Sequence, residues 1–153
     1  MEYRYATTDD MNLLIQSRTD TLRDVNGLEA DYQFSDEFLE ASREFFREGD
    51  QSTVLAIENN RAVGCATMCY IDLMPTFAHP SGRRAHLMNV WTDREYRRRG
   101  IAEKLVTMLI EEARARGASE ISLDTTETGR PFYRKLGFGE SGENMVMIMK
   151  NEK

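Results

Sequence analysis

Ala102, Leu105, Val106, Leu109, Ile110 and Ala113 recur at the offsets of one helical face, with Arg114 and Arg116 in the last turn and Gly117 just beyond. That spacing predicts an amphipathic helix that must lay its apolar stripe on another element. The run "AHLMNVWTD" before it reads as a strand, and the connection "REYRRRG" puts four arginines, Arg94, Arg97, Arg98 and Arg99, into six residues ahead of Gly100. Strand, short basic turn and helix in succession demand a sheet with a helix across its face.

The rest of the chain supplies that sheet. "EYRYA" alternates as a short strand. Thr7 and Thr8 are cap residues for a first helix carrying Met11, Leu14, Ile15 and Leu22, which ends near Gly27. Ser35, followed by Asp36 and Glu37, starts a second helix with Phe38, Phe45 and Phe46 on one stripe, and Gly49 stops it. "STVLAIENNRAVGCATMCYIDL" reads as a hairpin turning at Asn59-Asn60, because Asn tolerates positive φ. "MPTFAHPSGRR" is a loop, "EISLD" a strand, "GRPFYRKLGF" a short helix with Pro131 near its start and Gly137 past its end, and "NMVMIMK" a closing strand. The expected fold is α/β, of α+β type, in the order β-α-α-β-β-β-α-β-α-β, within a single domain over residues 1–153.

Net charge is −6 and the pI near 5.0, so general affinity for nucleic acid or an anionic membrane is not expected. No run of apolar residues is long enough to span a bilayer and no basic, then apolar, leader opens the chain, so a cytoplasmic location is expected. Cys65 and Cys69 share one strand face too far apart to bridge within it, and read as small core residues. No metal is expected, since His79 and His86 stand apart without a Cys-x-x-Cys motif.

The arginine run is therefore a local device. A helix N-terminus leaves backbone N–H groups unpaired and carries positive dipole, so it holds an anion on main chain alone. Gly100 lets the backbone approach closely, Ala102 keeps the next contact small, and the arginines add charge-assisted hydrogen bonds. A solvated helix start accounts for the same charges without a ligand; the glycine at the helix entry favours the anion site. Neither G-x-x-x-x-G-K-[ST] nor a G-x-G-x-x-G after a strand occurs, which argues against nucleotide hydrolysis and a dinucleotide fold.

"VWTDREYRRRGIAEKLV" resembles the acyl-CoA signature of the GNAT superfamily of N-acetyltransferases, in which Arg or Gln is followed after two residues by Gly, and after one more by Gly or Ala; Arg97, Gly100 and Ala102 fill it. "FYRKLGF", Phe132 to Phe138, resembles the second motif of the same family. The resemblance implies acetyl-CoA as co-substrate between the strands Leu87–Thr92 and Ile121–Asp124, its pantetheine pairing with backbone at Val90, Trp91 and Thr92. It implies a pyrophosphate on the N–H groups of Arg98, Arg99, Gly100, Ile101, Ala102 and Glu103, with Arg97 opening the motif, and a thioester carbonyl polarised by an N–H near Val90. It implies Tyr133 as the acid that protonates the leaving thiolate. Thr126 stands where many relatives carry a cofactor-contacting Asn, and Ile121 where a glutamate base is common. His86, Asp93, Asp124, Glu127 or a water chain are left as candidate bases.

The implied activity is direct acetyl transfer to a primary amine in a ternary complex. The alternative is a non-catalytic acyl-CoA sensor of the same fold, which needs the phosphate loop but no Tyr133. Residues 26–34 and 74–84 are expected to line the acceptor cleft. Glu29, Asp31, Asp72 and Glu127 are expected to attract a cationic amine, whereas Arg83 and Arg84 suit an acceptor with a carboxylate. A covalent cysteine route is disfavoured because neither thiol has an activating neighbour. A homodimer through the terminal strand edge is the one protein partnership expected.

Overall fold

The structure, a computed structural model, describes residues 1–149 and divides into two units, Met1–Leu123 and the chain from Asp124 on. In the first unit, β1 (Glu2–Tyr5), β2 (Gln51–Glu58), β3 (Arg61–Asp72), β4 (Arg83–Thr92) and β5 (Ile121–Ser122) form one sheet in that order. Every neighbouring pair is antiparallel except β4 and β5. Helices α1 (Met11–Val25) and α2 (Asp36–Glu48) follow β1, and α3 (Ile101–Ala115) crosses from β4 to β5.

Local chemistry sets these boundaries. The Ser35 Oγ accepts the Phe38 N–H at 3.1 Å and opens α2, while Asp10, paired with Arg4 at 2.6 Å, accepts the Thr7 N–H in the turn before α1. Asn59 and Asn60 both adopt positive φ, 52° and 62°, as a two-residue hairpin turn requires.

Adjacent residues on β3 face opposite layers. Cys65 meets Thr21 of α1, whereas Gly64 faces α3, where an added Cβ would lie 2.8 Å from Ile101 Cγ2. The sheet is thus covered on both faces, by Leu14 and Phe46 on one side and by Leu105, Val106 and Leu109 on the other. Ser52 and Tyr70 both donate to Glu112, at 3.0 and 2.5 Å, and tie α3 to β2 and β3.

Two expectations for the second half are revised. The strand at "EISLD" shrinks to Ile121–Ser122. No strand forms over residues 144–149, whose apolar side chains Met145 to Met149 are exposed; Lys150, the last residue of that expected strand, lies outside the described residues. Alternation makes a segment compatible with a ladder but supplies no partner for its N–H and C=O groups. In the second unit α4 (Arg130–Lys135) forms as expected. Among the described residues no helix is long and apolar enough to cross a membrane.

Candidate active site

The site begins with a fault in the β3–β4 ladder. Cys65 pairs with Trp91, yet Thr67 pairs with Met88, so Asn89 and Val90 together oppose Ala66. This is a β-bulge, which re-aims the strand backbone. Asn89 takes φ of 61°, a region that Asn tolerates better than most side chains. Three contacts hold it: Arg18 donates to its Oδ1 at 2.9 Å, its Nδ2 donates to Thr67 Oγ1 at 3.2 Å, and Cys65 Sγ donates to its carbonyl at 3.2 Å.

On its other side β4 pairs with β5 only at Ala85 and His86. From Leu87 to Thr92 that edge carries no strand among the described residues, which is the condition for an extended ligand to add hydrogen bonds to it. Val90, Trp91 and Thr92 lie on this edge. Trp91 contributes main chain only, since its side chain is buried and its indole N–H donates to Asp24 Oδ2 at 2.9 Å. The Thr92 carbonyl accepts Arg97 Nε at 3.0 Å, and the buried Thr92 hydroxyl has no hydrogen-bond partner among the described residues.

The arginine run divides in two. Arg97 and Arg94 turn inward, to Asp24 at 2.6 and 3.0 Å, so that one carboxylate of α1 anchors the basic loop. Burial pushes the Asp24 pKa up, but the indole hydrogen bond, Arg94 and Arg97 outweigh it and hold the carboxyl below its ordinary range. Arg98, at φ of 65°, makes no side-chain hydrogen bond among the described residues, and Arg99 lies over the Tyr96 ring at 4.9 Å. Gly100 has φ of 76° with open space where a Cβ would be, and among the described residues no side chain caps the start of α3. The N–H groups of Ile101, Ala102 and Glu103 therefore begin an open, positive helix end; the Ile101 side chain is buried in the core and Glu103 is exposed.

The second unit carries Thr126 and Tyr133. Thr126 Oγ1 accepts the Gly129 N–H at 3.3 Å ahead of α4. At the far end the Phe138 N–H bonds the Tyr133 carbonyl and the Gly137 N–H bonds the Arg134 carbonyl, both at 3.0 Å, with Gly137 at φ of 105°. This is a Schellman cap. Its hydrophobic contact is Phe138 on Tyr133, ring centroids 5.8 Å apart, so the Leu-Gly-Phe motif holds the tyrosine ring in place. Burial raises the Tyr133 pKa, keeping the phenol protonated.

The remaining charged candidates are mostly engaged. Asp93 accepts the Glu95 N–H at 3.0 Å and pairs with Arg61 at 2.9 Å; His86 shares a 2.8 Å hydrogen bond with Ser122; Glu127 pairs with Arg130 at 2.9 Å. Arg83 pairs with Asp72 and Arg84 with Glu120, at 3.6 and 3.0 Å, so each already has a carboxylate. Burial pushes the Cys65 thiol up to about 11 and raises Cys69 too, which removes both as ready nucleophiles. No group of three metal-ligating side chains occurs among the described residues.

Between α1, α2, β3 and β4 lies a cavity of about 290 Å³, lined by Phe38, Phe45, Phe46, Cys69 and Met88 with Arg18 and Asn89. Arg18 is the residue that the sequence reading passed over. It falls four residues after Leu14 and four before Leu22, a charge inside an apolar stripe, which is the signal it leaves.

Residues 18–138 match the Acetyltransferase (GNAT) family. The chain belongs to the GNAT acetyltransferases. Glucosamine 6-phosphate N-acetyltransferase 1 of Oryza sativa subsp. japonica is 32% identical over 110 residues, covering 69% of this chain and 67% of that one. Glucosamine 6-phosphate N-acetyltransferase of Trypanosoma brucei brucei is 35% identical over 78 residues, 51% of each chain, so the matched part spans about half of that relative. Among solved structures, a predicted acetyltransferase from Clostridium acetobutylicum, crystallised with acetyl-CoA, is 29% identical with a TM-score of 0.82, covering 96% of this chain and 95% of that one.

Proposed function

We propose that this GNAT protein transfers the acetyl group of acetyl-CoA directly to a primary amine, with both bound at once and residues 1–153 acting as one catalytic domain. The observation that carries the reading is the bulged β4 edge, which among the described residues has no strand on its β5 side from Leu87 to Thr92, followed directly by the basic loop and the start of α3, which no described side chain caps.

Each part has a role in the chemistry. Main chain at Val90, Trp91 and Thr92 pairs with the pantetheine amides, and the N–H groups from Arg98 to Glu103 hold the pyrophosphate, with Arg98 and Arg99 adding charge. The Val90 N–H polarises the thioester carbonyl where negative charge develops. The amine nitrogen bonds the acetyl carbon and sheds a proton to water, the C–S bond breaks, and Tyr133 passes its proton to the thiolate. Arg97 positions the loop through Asp24, and the Thr126 hydroxyl stands in for an amide contact to the cofactor. The rice and trypanosome relatives, named for glucosamine 6-phosphate, make an amine on a small metabolite the first acceptor class to assay.

The test compares thiol release from acetyl-CoA across a panel of amines for wild type and Tyr133→Phe, with acetyl-CoA affinity measured by calorimetry. We expect kcat to fall about 100-fold or more in the variant with affinity unchanged. Because burial raises the phenol pKa above its ordinary value near 10, wild-type kcat should hold through neutral pH and fall only above about pH 10. Binding without turnover on any amine would favour the sensor reading.

A further inference from the structure

The polar groups of the cavity between α1, α2, β3 and β4 are already occupied, with one exception. Ser42 donates to the Phe38 carbonyl at 2.8 Å, and Thr67 shares its hydroxyl with Thr53 at 2.8 Å and with Asn89. The guanidinium of Arg18 has five N–H donors, and among the described residues its one protein hydrogen bond goes to Asn89 Oδ1. It has no carboxylate partner in the described fold, unlike Arg83, Arg84, Arg94 and Arg97. Burial lowers its pKa, as for a charge carried among apolar neighbours without an acid beside it.

We infer that this cavity receives the acyl acceptor, and that the acceptor is a primary amine bearing both a carboxylate and an apolar, aromatic-sized group: a hydrophobic α-amino acid, its carboxylate held by Arg18. The inference rests on the acetyltransferase reading. Phe38, Phe45, Phe46 and Met88 give the apolar wall. Arg18 is bonded to Asn89, and Val90 is the next residue, roughly 3.8 Å along the backbone. In an α-amino acid the amine and the carboxylate share one carbon. A carboxylate on Arg18 therefore sets the amine close to the bulge while the side chain enters the phenylalanine wall. A sugar phosphate would find a cation here but almost no free partner for its hydroxyls, and an acyl chain would have no use for the cation.

The test is calorimetric binding of N-acetyl-L-phenylalanine and of its neutral amide to wild type, Arg18→Met and Arg18→Lys. The carboxylate form should bind wild type roughly tenfold or more tighter than the amide. Arg18→Met should abolish that preference and Arg18→Lys keep part of it. In turnover, Arg18→Met should raise KM for phenylalanine roughly tenfold or more beyond any rise in KM for phenethylamine, a change in kcat from the loosened Asn89 being common to both acceptors. A role of Arg18 confined to bracing Asn89 would instead move both acceptors together. Equal affinity for acid and amide, binding of neither, or tighter binding of glucosamine 6-phosphate overturns the inference. Acetyl-CoA titrated into the same protein reports separately on the transferase reading: no binding there sinks that reading whatever the cavity does.

Discussion

Asp24 joins the core to the basic loop: its two oxygens accept the Trp91 indole N–H, Arg94 Nε and Arg97 Nη2 at 2.9, 3.1 and 2.6 Å. Its folded pKa lies below the unfolded value near 3.9, so the stability it contributes is present above about pH 4 and is lost as pH falls through the lower folded value. Asp24→Asn keeps the shape but gives up the charge. Because both arginines are partly exposed, the loss at neutral pH should be only about 1 kcal/mol, read as a lower midpoint in urea. The variant should also flatten the acid limb of stability below pH 4 and weaken acetyl-CoA binding severalfold, because Arg97 no longer anchors the loop. An unchanged affinity would mean that the loop holds its shape without this carboxylate.

At the scale of the element, the placement of α3 turns on Gly64. A Cβ there would sit 2.8 Å from Ile101 Cγ2 and 3.3 Å from Leu105 Cδ1, so Gly64→Ala has to push the first turn of α3 off the sheet. The expected cost is about 1–3 kcal/mol, with a rise in the Kd for acetyl-CoA larger than that of a core change remote from the helix start, such as Leu109→Ala, at equal loss of stability. Which elements could be read from sequence follows from how local their causes are. The Ser35 cap, the Asn59-Asn60 turn and the Leu-Gly-Phe cap of α4 act within a few residues, and each forms as read. Residues 144–149 alternate just as well, but a strand is made by its partner, which alternation does not encode. The basic turn and open start of α3 were legible, being contiguous; the inward turn of Arg97 was not, because Asp24 is 73 residues away. The Arg18 cavity draws its walls from four separate elements, and only a charge out of place in an apolar stripe marked it.

Over the whole molecule two fields compete for an anionic co-substrate. A net charge of −6 repels it at long range, while Arg98, Arg99 and the helix dipole favour an anion at the start of α3, Arg94 and Arg97 being paired with Asp24. Dissolved salt screens exposed charges over a Debye length of about 10 Å at 0.1 M, but acts weakly on hydrogen bonds made in contact with main-chain N–H groups. If the loop dominates at the site, raising NaCl from about 0.05 to 0.5 M should weaken acetyl-CoA binding severalfold. The double variant Arg98→Gln, Arg99→Gln should bind more weakly at low salt, with the gap to wild type closing as salt rises. A gap that persists at high salt would show that these two side chains act by fixed hydrogen-bond geometry, as Arg97 does toward Asp24 and Thr92. Affinity that improves with salt would mean that the acidic body of the protein outweighs its basic turn, and that the main chain of α3 holds the anion against the molecule's own field.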